Sequence, residues 1–122
     1  MRAAGLHAIG TLLDTEAVLI RAATPKHPEL TQLTDLITKR IAGVIAAEKY
    51  VVVQYNISRD KLVSATRITP GRRAPTVSPL EEENWVAVSS MVEKKRSATV
   101  MDQLVAIGAE DILVFNLDNC RV

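Results

Sequence analysis

The feature that most constrains this chain is the order of its hydrophobic periods after residue 50. Period-two runs and helical-period runs succeed one another there in a fixed pattern. Tyr50–Ile57 puts Val51, Val53, Tyr55 and Ile57 on one face of a strand. Ser58 suits an N-cap, and Leu62, Ala65 and Ile68 mark the buried side of a helix. Thr69-Pro70-Gly71 stops that helix. Ala74–Leu80 contains Pro75 and Pro79, which confine it to an edge or irregular strand. Trp85–Glu93 alternates cleanly, with Val86, Val88 and Val92 sharing a face. Ser97 suits the cap of a second helix, whose stripe is Val100, Met101, Leu104 and Ile107 and which Gly108 ends. Asp111–Leu117 reads as the last strand.

The resulting order is βαββαβ, an α+β arrangement of the ferredoxin-like kind. It predicts a four-stranded antiparallel sheet with two helices on one face. The first strand is expected to pair with both the third and the fourth. The other face has no cover within these residues, so it should be polar if it meets water. It carries instead Val52, Trp85, Met91 and either Ile112 or Leu113. A small domain with apolar residues on both sheet faces is expected to oligomerise or to pack on a neighbour.

Two shorter segments precede this unit. In residues 1–24, Leu6, Ala8 and Leu12–Leu13 read as a short strand, Asp14-Thr15-Glu16 as a turn and Ala17–Ala22 as a second strand. Two strands make no stable unit alone, so the segment reads as a remnant of something larger or as an addition to another sheet. Residues 25–49 open with Pro25 and Pro28, which break what comes before. Leu30, Leu33, Ile37, Ile41, Val44 and Ile45 then predict one amphipathic helix from about 29 to 48. Gly43 either weakens that helix, by up to ~1 kcal/mol, or permits close packing.

Composition narrows the function. Lys plus Arg is 15 and Asp plus Glu is 14, a net charge of +1, which gives no support to a nucleic-acid or membrane-surface partner. The aromatic residues are Trp85, Tyr50, Tyr55 and Phe115, too few for base stacking. One cysteine, Cys120, excludes an internal disulfide and suits a reducing, cytoplasmic setting. His7 and His27 cannot form a zinc site with Cys120 at a familiar spacing. Ile41–Ala47 is the longest apolar stretch, far short of the roughly 20 residues a membrane span needs. Glu81-Glu82-Glu83 reads as a solvated turn, and Lys94-Lys95-Arg96 as a solvated loop. No Gly-rich phosphate loop is present: Gly71 stands alone between Pro70 and Arg72.

Three motifs resemble a known family. The first is Thr69-Pro70-Gly71-Arg72-Arg73-Ala74-Pro75-Thr76-Val77-Ser78-Pro79-Leu80. The second is Val100-Met101-Asp102-Gln103-Leu104, and the third is Gly108-Ala109-Glu110-Asp111-Ile112-Leu113-Val114. In this order they resemble the C-terminal regulatory domain of ATP phosphoribosyltransferase, the first enzyme of histidine biosynthesis. Met1-Arg2-Ala3-Ala4-Gly5-Leu6 and Ala17-Val18-Leu19-Ile20 look like the end of that family's catalytic domain. In the family this stretch follows a Gly-Thr-Thr-type loop that binds the 5-phosphate of phosphoribosyl pyrophosphate, so the chain is expected to begin just after it.

The resemblance implies a division into a catalytic remnant (1–24), a linker with its helix (25–49) and an ACT-like, ferredoxin-like regulatory domain (50–122). It implies a parent glycosyltransferase that joins ATP and phosphoribosyl pyrophosphate, with Mg2+, into phosphoribosyl-ATP and pyrophosphate. This chain alone is expected to be inactive. It implies histidine as feedback inhibitor and a homo-oligomer, dimer to hexamer. The implied effector contacts are Thr76 in the Pro-Thr motif, Asn56, Asp111 and Arg72, in a pocket built partly by a second subunit. A hydroxyl and a guanidinium suit a carboxylate; an amide and a carboxylate suit an ammonium. A stand-alone amino-acid sensor and an RNA-binding module share the strand order and are the alternatives. RNA recognition would need an aromatic, glycine-containing central strand, which Trp85–Glu93 is not.

Overall fold

The computed structural model describes residues 6–24 and 27–121. Met1–Gly5, the start of the stretch that resembles a catalytic domain, lies outside the described residues, as do Pro25, Lys26 and Val122. The elements are α1 (Leu30–Glu48), β1 (Tyr50–Ser58), α2 (Leu62–Ile68), β2 (Thr76–Pro79), β3 (Trp85–Glu93), α3 (Ser97–Ala106) and β4 (Glu110–Asn116). Short 3₁₀ turns, Arg59–Lys61 and Lys94–Arg96, lead into α2 and α3.

The sheet order is β2-β3-β1-β4, and every pairing is antiparallel. The first strand therefore lies between the third and the fourth, as the sequence predicts. The chain is thus an α+β protein whose sheet is compatible with the ferredoxin-like arrangement. The proline-bearing β2 sits at an edge, where a missing N–H costs no ladder bond. The core lies between the sheet and α2 and α3. Val51, Val53, Tyr55 and Ile57 of β1 meet Val86, Val88 and Val92 of β3, Ala65 of α2, and Val100 and Leu104 of α3.

Two local expectations are corrected, and one open choice is settled. Residues 6–24 contain no strand. Ile9, Leu12 and Ile20 are 97%, 103% and 85% exposed. An alternating run becomes a strand only against a pairing edge, and none meets it among the described residues. The second correction concerns the serines. Neither Ser58 nor Ser97 makes a side-chain cap bond as N-cap: Lys61 and Arg96 hold those positions of α2 and α3. The 3₁₀ turns displace the helix starts, and Ser97 Oγ donates back to the Lys94 carbonyl at 2.8 Å instead. Third, the choice between Ile112 and Leu113 resolves. Ile112 packs against the core, while Leu113 stands opposite Gln54 on the outer face.

α1 matches its predicted span, but its apolar stripe meets little. Leu33, Ile37, Ile41 and Val44 are all exposed, and Gly43 and Ala47 are its buried residues. Gly43 is buried because the C-terminal segment crosses it. The Cys120 N–H donates to the Gly43 carbonyl at 3.0 Å, and a Cβ on Gly43 would stand 2.6 Å from Arg121 Nη1. Close packing is thus the role of Gly43. No helix among the described residues is long and apolar enough to cross a membrane.

Candidate functional site

The loop between α2 and β2 begins where Pro70 forbids another helical turn. Gly71 follows with φ +66°, a left-handed conformation that glycine adopts without Cβ strain. The turn delivers Arg72 and Arg73 to the outer side of the sheet. The Arg72 guanidinium lies over the Tyr50 ring, 5.9 Å from its centroid, within cation–π range. β2 then pairs with β3, placing Thr76 opposite Ser89.

These residues line an open cleft of about 600 Å³. Arg72, Thr76 and Ser89 are among its polar lining residues, Val52 and Met91 among its apolar ones, and Arg121 of the C-terminal segment lines it as well. Arg73 adds a further guanidinium, and among the described residues no acidic side chain lines the cleft. Such a lining suits a carboxylate, which accepts two parallel N–H bonds from one guanidinium. Its described residues offer an ammonium no opposite charge.

Asn56 and Asp111 stand elsewhere, at the β1–β4 side of the sheet. Asn56 Nδ2 donates to Asp111 Oδ2 at 2.9 Å. Asp111 has φ +49°, beside a register shift of β1 against β4 between Gln54 and Asn56. The shift turns the start of β4 so that the Asp111 carboxylate meets the amide. The structure therefore brings Arg72 together with Thr76, and Asn56 together with Asp111, as two separate pairs.

Some lining residues have no signal in the sequence reading. Ser89 is read only through its register with Thr76. Arg121 reaches the cleft because the C-terminal segment turns back onto α1, where its guanidinium donates to the Lys39 carbonyl. Beneath the cleft, Tyr55, Thr69 and Ser90 form a buried hydrogen-bonded set. Ser90 is visible in retrospect as the polar break in the stripe Val86, Val88, Ser90, Val92.

The remaining candidates are surface features. Glu81–Glu83 are exposed in the β2–β3 turn, where Leu80 N–H donates to the Trp85 carbonyl at 3.2 Å. Lys94–Arg96 are exposed in their 3₁₀ turn. His27 Nδ1 meets Glu29 Oε1 at 3.0 Å in solvent, an arrangement of little energetic weight. No group of three or more His, Cys, Asp or Glu among the described residues is placed to hold a metal ion.

The family model described as "HisG, C-terminal domain" matches residues 47–119. Over 122 residues, all of this chain, the sequence is 59% identical to the ATP phosphoribosyltransferase of Yarrowia lipolytica. It is 52% identical to that of Kluyveromyces lactis and 49% to that of Saccharomyces cerevisiae, again over its full length. The chain spans 40% of the length of each of these relatives. The motifs around Gly71, Leu104 and Gly108 all fall inside the matched span, and the chain belongs to the family of HisG C-terminal domains.

Proposed function

We propose that this chain is the C-terminal regulatory portion of an ATP phosphoribosyltransferase and that it binds histidine as the feedback inhibitor of that enzyme. The reaction served is the joining of ATP and phosphoribosyl pyrophosphate at the start of histidine biosynthesis, in the cytoplasm. Residues 50–122 act as an ACT-like effector module, 25–49 as the linking helix and 1–24 as part of the catalytic domain.

One observation carries the ligand assignment: Arg72 and Thr76 line one cleft that has cationic and hydroxyl donors and no acidic side chain. The carboxylate of histidine fits there, accepting from the guanidinium and the hydroxyl. The imidazole lies against Val52 and Met91. The ammonium finds no opposite charge in the described lining of the cleft, and the Asn56–Asp111 pair supplies one from another copy of the chain. This reading goes with a homo-oligomer, dimer to hexamer. The outer sheet face supports it: Leu113 and Phe115 are 51% and 47% exposed, an apolar surface that water does not favour.

The test is Thr76→Val, which keeps the β-branched shape and removes only the donor. Isothermal titration with histidine should show a loss of ~1–3 kcal/mol relative to the parent chain. Equal affinities would remove Thr76 from the site.

A further inference from the structure

Thr69 and Ser90 are the buried polar residues among the described part of the chain, 0% and 4% exposed. Thr69, where α2 ends, meets both Ser90 and Tyr55, the latter itself 0% exposed. The Tyr55 hydroxyl lies 2.7 Å from Thr69 Oγ1. Thr69 Oγ1 donates to the Ala65 carbonyl at 3.1 Å, so it accepts from Tyr55. Ser90 Oγ donates to the Thr69 carbonyl at 2.9 Å. Every buried side-chain polar atom in this part of the chain has a partner.

Packing alone does not call for these hydroxyls. Buried polar groups cost free energy unless paired, and apolar residues of similar shape fill a core without that condition. What the hydroxyls do is fix a direction. The Thr69 carbonyl sits at the helix end, where no intrahelical partner remains. Ser90 ties it to the central sheet, and Tyr55 ties the Thr69 side chain to β1. The backbone then turns at Gly71, whose absent Cβ would stand 3.1 Å from Ser90 Oγ. The loop therefore rests directly on the hydroxyl set, and the next residue is Arg72.

We infer that Thr69, held by Tyr55 and Ser90, is a positioning residue that sets where Arg72 stands in the cleft. Thr76 is fixed independently by the pairing of β2 with β3. Loosening the hydroxyl set should therefore weaken what Arg72 contributes and spare what Thr76 contributes. This consequence for binding rests on the histidine reading; the positioning itself does not.

The test uses the whole chain with Thr69→Val and Thr69→Ser. In backbone 15N relaxation without ligand, order parameters of Gly71–Ala74 should fall in Thr69→Val from about 0.85 to below about 0.6, and stay high in Thr69→Ser. Tyr55→Phe should lower them as well, and it decides the matter if Thr69→Val does not fold. In titrations with histidine, Thr69→Val should weaken binding by about 5–10-fold, with Thr69→Ser restoring it. That loss should shrink below about twofold in an Arg72→Ala background and persist in full with Thr76→Val. Unchanged order parameters in both Thr69→Val and Tyr55→Phe would overturn the inference, as would a Thr69→Val loss that survives Arg72→Ala. If the parent chain binds no histidine, the histidine reading falls, and the order parameters alone decide the role of Thr69.

Discussion

At Gly71 the backbone φ is +66°, and a Cβ there would meet Ser90 Oγ at 3.1 Å and the Ala74 carbonyl oxygen at 3.2 Å. Both facts point the same way. Gly71→Ala should destabilise the fold by about 1–2 kcal/mol through the left-handed conformation alone, with further crowding against Ala74 backbone. Urea denaturation should show a lower midpoint at an unchanged slope; an unchanged midpoint would contradict the account. Thr69-Pro70-Gly71 is legible in the sequence because proline and glycine act locally. The Tyr55–Thr69 pair is not, because nothing local says that residues 14 positions apart meet inside a core. That pair has a pH consequence. Burial pushes the Tyr55 phenol above its ordinary value of 10.0. A value raised in the folded state means that the folded chain holds the proton more tightly. The contribution to stability is then complete below pH 10 and is lost as pH rises through the folded value. Urea midpoints between about pH 9 and pH 11 should therefore decline more steeply in the parent chain than in Tyr55→Phe. Parallel declines would show that Tyr55 titrates as if exposed.

Within α3, adjacent positions divide cleanly between core and surface. Leu104 is fully buried against β1 and β3, whereas Val105 is 63% exposed. Leu104→Ala should cost about 2–5 kcal/mol, while Val105→Ala should stay within about 0.5 kcal/mol. Thermal and urea unfolding of the two variants would check this, and similar losses would mean that α3 packs on a different face. The stripe of α3 was readable because helical period and burial agree. The same holds for β1 and β3, whose alternate valines form the core that the sequence predicts. Helix starts were less readable. Ser58 and Ser97 have the right chemistry for caps, but a 3₁₀ turn lies between Ser58 and α2 and another lies just ahead of α3. The extra turn reflects tertiary placement, not side-chain preference. Residues 6–24 show the larger form of this problem. Alternation there specifies a strand only if an edge is available to receive it.

For the molecule as a whole, the inner and outer sheet faces have different duties. The inner face is sealed by α2 and α3. The outer face carries the cleft of Arg72 and Thr76 at one side and the Asn56–Asp111 pair at the other. An amino acid bound across two copies would use both sides at once. Sequence reading named all four of these residues from the family resemblance, Arg72, Thr76 and Asp111 within its motifs and Asn56 by its place at the end of the first strand. It could not show that they form two pairs, because that depends on strand order and on the register shift in β1 and β4. The central claim is that histidine occupies the Arg72–Thr76 cleft. The most direct measurement is two-dimensional 1H–15N NMR of the whole chain titrated with free histidine. Saturable shifts should concentrate at Arg72, Thr76 and Ser89 and extend to Asn56 and Asp111, with residues 6–24 unmoved. Saturable shifts that avoid Arg72, Thr76 and Ser89, or no shifts at all, would contradict the account.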